Sequence, residues 1–79
     1  MTVTVVIDTI EKVKEFTNAA LKSKIENIDV KSGRYVVDAR SIMGLFSLDL
    51  SNPLDVCFET DNEEELDKFK ESISKFIAK

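Results

Sequence analysis

The order of its strand-like and helix-like segments is the feature that most limits how this 79-residue chain can fold. Val3, Val5 and Ile7 alternate along the chain, which is typical of a strand. Similar segments occur at 28–31, 34–38 and 54–59, and apolar residues at helical spacing occupy 10–21 and 66–77. With a short helix after Ser41, the predicted order is β-α-β-β-α-β-α in a single domain, residues 1–79.

Turn and cap residues separate these segments. A hairpin is predicted at Ser32-Gly33, because glycine adopts positive φ without steric cost. Asn52-Pro53 interrupts the apolar pattern before the last strand. Favoured N-cap side chains precede each predicted helix: Asp8 or Thr9, Ser41, and Asp61 or Asn62. Four strands with helices packed on one face predict an α+β open-faced sandwich.

The apolar pattern also predicts which side chains are buried. In the first helix the predicted buried face is Ile10, Val13, Phe16, Thr17, Ala20 and Leu21. In the last helix it is Leu66, Phe69, Ile73, Phe76 and Ile77, with Lys75 and Lys79 at the helix end. In the last strand Leu54, Val56 and Phe58 are predicted to point inward, and Asp55, Cys57 and Glu59 outward.

Composition excludes several classes of function. The sequence has no histidine and one cysteine, Cys57, so it lacks the residues for a histidine-dependent catalytic arrangement, an internal disulfide or a conventional zinc site. Its net charge of −4, without a basic stripe, argues against nucleic-acid and membrane binding. No cofactor or metal is predicted. We expect a cytoplasmic location, because no signal-peptide or membrane-spanning pattern is found.

One motif resembles a known family. Ser41-Ile42-Met43-Gly44, followed by Ser47-Leu48, is similar to the second helix of HPr, the phosphocarrier of the bacterial sugar phosphotransferase system. The predicted element order matches HPr along nearly the whole chain. The resemblance implies a four-stranded antiparallel sheet with three helices on one face, and protein partners in the phosphotransferase or carbon-control machinery.

The other signature of that family is missing. HPr has a His-Ala-Arg-Pro stretch at the start of its first helix, where this sequence has Ile10-Glu11-Lys12-Val13 and a loop about two residues shorter. In the family the histidine accepts phosphate, and an arginine and the helix N-terminus hold the anion. Ile10 has no acceptor atom, Glu11 adds negative charge, and Lys12 lacks the bidentate fork of arginine. The chain is therefore predicted not to carry phosphate on histidine, and not to be an enzyme.

Ser41 is the candidate regulatory site. In some bacterial HPr proteins the corresponding serine is phosphorylated by a dedicated kinase, and a phosphate at a helix N-terminus meets free N–H groups and the positive end of the dipole. The alternative is that Ser41 only caps the helix, a contribution of about 1 kcal/mol. Asp38 and Asp49, which are close in sequence, would weaken a phosphoserine.

The apolar cluster Ile42, Met43, Leu45 and Phe46 is the candidate docking site. In the family this helix helps to form the docking face for partner proteins, and we expect Met43 or Phe46 to be exposed. The alternative is that most of the cluster is core. Cys57 is interpreted as a passive strand residue, and the acidic run at 61–65 as a solvated helix start.

These observations lead to a first functional hypothesis. The chain is predicted to be an HPr-like regulatory or adaptor protein, not competent for phosphoryl transfer through histidine, with Ser41 as the candidate control point. The first alternative is a phosphorelay member that uses another residue. The second is a structural or protein-interaction domain of unrelated role that keeps the HPr fold.

Overall fold

The computed structural model describes residues 1–78, so Lys79, predicted at the end of the last helix, lies outside the described residues. The elements follow the predicted order, and a 3₁₀ turn (Ser74–Phe76) is added after the last helix. They are β1 (Thr2–Val5), α1 (Ile10–Lys22), β2 (Asn27–Ser32), β3 (Tyr35–Asp38), α2 (Ile42–Phe46), β4 (Leu54–Glu59) and α3 (Glu63–Ser72).

The strands form one sheet in the order β1-β4-β2-β3, and each neighbouring pair is antiparallel. Leu54, Val56 and Phe58 of β4 are buried, whereas Asp55 and Glu59 are exposed, as the alternation predicted. The helices therefore cover one face of the sheet and leave the other open. This arrangement confirms the predicted α+β open-faced sandwich with four antiparallel strands and three α-helices.

The β2–β3 hairpin closes one residue later than predicted. Ser32 pairs with Tyr35 in the ladder, so the two-residue loop consists of Gly33 and Arg34. Gly33 has φ 58°, in the left-handed region that favours glycine. A glycine at the first loop position is typical of a type II′ turn, whose twist matches that of the flanking strands.

The core lies between the sheet and the helices. Phe16 of α1 packs edge-on against Phe69 of α3 and Phe76 of the 3₁₀ turn, with ring centroids 6.4 Å apart in each pair. Phe69 also packs on Phe58 of β4, with centroids 4.9 Å apart. These aromatic contacts join α1, α3 and the sheet into one core.

Two predictions about the helices are wrong. Ile10 and Leu21 of α1 are 62% and 59% exposed, because the buried face is centred on Val13, Phe16 and Ala20 and both residues lie at its edge. The last helix does not continue to Ile77. It ends at Ser72, and the following segment pairs with the edge of β1, through Val6 N–H to Phe76 O at 2.8 Å and Ala78 N–H to Thr4 O at 2.8 Å.

Candidate functional site

The first turn of α1 begins with a threonine cap. Thr9 has extended backbone angles, and its Oγ1 accepts a hydrogen bond from Lys12 N–H at 3.1 Å. The Lys12 ammonium lies 3.0 Å from Asp8 Oδ1. Hydrogen bonding by Lys12, and then its charge, lower the pKa of Asp8 below its ordinary value. The cation of the first turn is therefore paired with a carboxylate of the same chain.

Ile10 is the first residue of α1, and its side chain projects into solvent. A phosphoryl acceptor needs a nucleophilic lone pair, and the alkyl side chain of Ile10 has none. The next two side chains are the Glu11 carboxylate and the Lys12 ammonium already bound to Asp8. This turn lacks the imidazole through which HPr is expected to act.

The start of α2 has the predicted serine cap. Ser41 is exposed, and its Oγ accepts a hydrogen bond from Gly44 N–H at 3.2 Å. A Cβ at position 44 would lie 3.0 Å from Ser41 Oγ and 3.3 Å from the Cβ of Val37 in β3. Glycine at this position lets α2 pack closely on β3 while the cap is kept.

α2 divides the predicted docking cluster between surface and core. Met43 is 78% exposed and Phe46 is 41% exposed, so the expectation that at least one is exposed is confirmed. Ile42 is half-buried against the core. Leu45 is completely buried, which corrects its assignment to the docking set. A five-residue helix buries one side, and Leu45 is its anchor.

Ile10 and Leu21 lie on the flank of α1 that faces α2, whose exposed apolar residues are Met43 and Phe46. The ring of Phe16 faces α3, and the segment after α3 pairs with β1 at one edge of the sheet. α2 packs on β3 at the opposite edge and also contacts α1, so α1 lies between α2 and α3. Ile10 and Leu21 are 11 positions apart, which places them within about 20° of each other, on the flank of α1 opposite Phe16. We call Ile10, Leu21, Met43 and Phe46 the α1–α2 face.

The two carboxylates near Ser41 in sequence are both engaged in turns. Asp38 Oδ1 accepts a hydrogen bond from Arg40 N–H at 2.8 Å. Asp49 accepts hydrogen bonds from Ser51 and from the Asn52 amide. The side-chain hydrogen bond from Ser51 is the largest cause that lowers the pKa of Asp49. Both turns thus use these carboxylates to close the chain around α2.

Sequence reasoning missed two long-range polar contacts. The Arg40 guanidinium donates to the carbonyl oxygens of Ser23, Ile25 and Glu26, which ties the turn before α2 to the loop after α1. Glu65 was predicted to be solvated, yet it is buried and accepts a hydrogen bond from Lys24 N–H at 3.2 Å. The partners are 14 to 17 positions apart for Arg40 and 41 for Glu65, so no local pattern signals either contact.

Cys57 is half-buried on the open face of the sheet, with its Sγ 3.4 Å from Thr2 Oγ1. Within residues 1–78, no three histidine, cysteine, aspartate or glutamate side chains are placed to hold a metal ion together. None of the helices in this part of the chain is both long and apolar enough to span a bilayer.

Solved structures match this fold along nearly its whole length. The crystal structure of HPr-C-His from Thermoanaerobacter tengcongensis has a TM-score of 0.73 and 28% sequence identity, with 95% of this chain and 92% of that chain covered. This chain has an HPr-like fold. The crystal structure of a phosphocarrier protein HPr from Bacillus anthracis str. Ames has a TM-score of 0.65 and 22% identity, with 92% and 93% covered.

No protein-family model matches the HPr-like chain, and no curated protein matches it significantly. The likeness is therefore carried by the fold and by 28% identity to one HPr structure. It agrees with the resemblance drawn from the residues around Ser41. The side chains at the two helix starts must then indicate the function, because one fold hosts many activities.

Proposed function

We propose that this HPr-like protein is a regulatory or adaptor protein of the phosphotransferase or carbon-control machinery, and that it does not carry phosphate on histidine. The first turn of α1 is the observation that carries the proposal. It holds an exposed isoleucine and an internally paired lysine, and the whole sequence has no histidine.

The α1–α2 face is the proposed docking surface. It presents four apolar side chains, each more than 40% exposed, and Met43 adapts its flexible thioether to different partner surfaces. Leu45 beneath it is fully buried and holds α2 in place. An exposed apolar patch on a small domain usually marks an interaction site. The partner is a protein with a complementary apolar surface.

Ser41 is the proposed control point of this surface. Its hydroxyl is exposed at the start of α2, two residues before Met43. A phosphate there adds about −1.5 to −2 charge at neutral pH. Charge beside an apolar docking face opposes the desolvation of that face. Phosphorylation would therefore weaken the binding of a partner that covers Met43 with apolar residues. It would strengthen the binding of a partner that offers arginine to the phosphate.

Binding to purified partners tests the adaptor role. The chain is immobilised and offered the first enzyme of the phosphotransferase system and HPr-binding carbon-control regulators. We expect at least one of these proteins to bind. Met43→Asp should raise its Kd at least about tenfold, and a tenfold change corresponds to about 1.4 kcal/mol. Val36→Asp is the control, because Val36 is 55% exposed and pairs with Lys31 on the open face of the sheet, opposite the helices.

Failure of every one of these proteins to bind contradicts the proposal and favours the alternative of an interaction domain with an unrelated role. An equal loss of binding in Met43→Asp and Val36→Asp would show that the α1–α2 face is not the docking surface. For the control point, incubation with the HPr serine kinase and ATP should label the wild type and not Ser41→Ala. Label of equal strength in both proteins would remove Ser41 from the proposal.

A further inference from the structure

A groove lies between the C-terminal part of α1 and α3, on the flank of α1 opposite the α1–α2 face. Its apolar lining residues are Ala19 of α1 and Phe69 of α3. Phe69 is almost fully buried and is held by edge-on contacts to Phe16 and Phe58, so only its edge borders the groove. The groove encloses about 260 Å³, slightly less than the ~300–1,000 Å³ typical of small-molecule sites. It has room for one or two side chains of a partner.

The rim of the groove is positively charged, although the chain as a whole carries −4. Three exposed lysines, Lys22, Lys24 and Lys68, line it together with a single acidic residue, Glu65, which leaves +2. Among the described residues, Lys22 and Lys24 form no ion pair. In a chain with more acidic than basic residues, this is a local reversal of charge.

Glu65 offsets one of the three lysine charges, and its carboxylate is occupied within the fold. Its carboxylate accepts a hydrogen bond from the backbone N–H of Lys24, and lies 3.9 Å from the Lys68 ammonium. The dipole of α1 accounts for part of the preference for lysine near its end. However, Ser23 N–H already bonds the carbonyl oxygens of Ala19 and Ala20. Lys22 and Lys24 remain exposed and available to an outside anion.

We propose that this groove binds an acidic segment of a protein partner. An apolar side chain of the segment packs on Ala19 and Phe69, and flanking carboxylates pair with Lys22 and Lys24. Charge complementarity selects an acidic peptide, and the size of the groove limits the anchor to one or two side chains. The site shares no residue with the α1–α2 face, so either surface can be lost without the other.

Titration of the isotope-labelled full chain with a synthetic peptide tests this proposal. The probe is acetyl-Glu-Asp-Leu-Phe-Asp-Glu-amide, and its neutral analogue carries Gln and Asn in place of the acids. We expect NMR shift changes centred on Ala19, Ser23 and Phe69 with the acidic peptide, and a Kd that rises with salt. The neutral analogue should bind about tenfold more weakly or not at all.

Two double variants with the same change in net charge distinguish binding in the groove from nonspecific electrostatic attraction to the protein. The double variant Lys22→Glu, Lys24→Glu should raise the Kd of the acidic peptide by about tenfold. Lys14→Glu with Arg34→Glu, two exposed positions outside the groove, should change the Kd by less than about twofold. Circular dichroism checks that both variants are folded. Shifts scattered over the surface, no shifts at millimolar peptide, or equal weakening in the two variants would each overturn the proposal.

Discussion

The starts of α1 and α2 are built alike and differ in what they offer. Each begins with a hydroxyl side chain that accepts a backbone hydrogen bond, Thr9 in α1 and Ser41 in α2. At α1 the next side chain is the inert Ile10, and the nearby lysine is bound to Asp8. Both cap hydroxyls are exposed, but at α2 the cap is followed by exposed Met43, which is flexible and apolar.

The comparison separates fold from chemistry. A helix cap needs an oxygen acceptor and an extended backbone, and both sites satisfy that need. Phosphoryl transfer through histidine needs an imidazole, and neither site has one. An HPr-like fold is therefore compatible with two helix starts that lack an imidazole, of which the second carries the exposed apolar side chains Met43 and Phe46.

The largest expected effect concerns Leu45, the buried residue of α2. Leu45→Ala should lower the free energy of unfolding by about 3 kcal/mol, because Leu45 is fully buried and its removal leaves a cavity. Met43→Ala should change it by less than about 0.5 kcal/mol, because Met43 lies in solvent. Denaturant unfolding measures both. Equal losses would contradict the division of α2 into an anchor and an exposed face.

The next largest effect concerns the two helix caps and tests whether they contribute equally to stability. Thr9→Ala and Ser41→Ala should each cost about 1 kcal/mol of stability, since each leaves an amide group without its acceptor. Ser41→Asp should stay within about 0.5 kcal/mol of the wild type, because aspartate caps equally well and its charge suits a helix N-terminus. If Ser41→Asp lowers the free energy of unfolding as much as Ser41→Ala, the side chain at position 41 does not cap α2 in solution.

The smallest expected effect compares two exposed carboxylates. The pKa of Asp8 and that of Asp49 are lowered in the folded state, so each stabilises the fold above its unfolded pKa, and that contribution is lost as pH falls through the folded value. Asp8→Asn and Asp49→Asn should thus be slightly less stable than the wild type at neutral pH. The differences should disappear in acid.

Salt distinguishes these two variants. The effect of Asp8→Asn should shrink as salt is added, because Lys12 is the source of the shift. The effect of Asp49→Asn should persist, because the lowering comes from hydrogen bonds donated by Ser51 and Asn52. Thermal unfolding at two salt concentrations measures this. A salt-insensitive Asp8→Asn would show that the ion pair at α1 does not form in solution.

Local patterns in the sequence were sufficient for most of the fold. The cap oxygens of Thr9, Ser41 and Asn62 act within three residues, and the alternation in β4 repeats every second residue, so each can be found in a short window. The resemblance around Ser41 added the topology. The structural neighbours confirm that part of the prediction.

Contacts between distant segments could not be predicted. Helical spacing placed Ile10 and Leu21 on an apolar face, but the positions of α2 and α3 decide which edge of that face is covered. The end of α3 depends on pairing with β1, about 70 residues earlier in the chain. The burial of Glu65 depends on an N–H group 41 positions away. These features come from tertiary packing and leave no signal in the neighbouring residues.

Phosphoryl transfer tests the central claim most directly. The chain is incubated with radiolabelled phosphoenolpyruvate and the first enzyme of the phosphotransferase system, beside an authentic HPr as positive control. We predict label on the authentic HPr and none on this chain, because the first turn of α1 has no imidazole. Stable label on residues 8–12 of this chain would contradict the account.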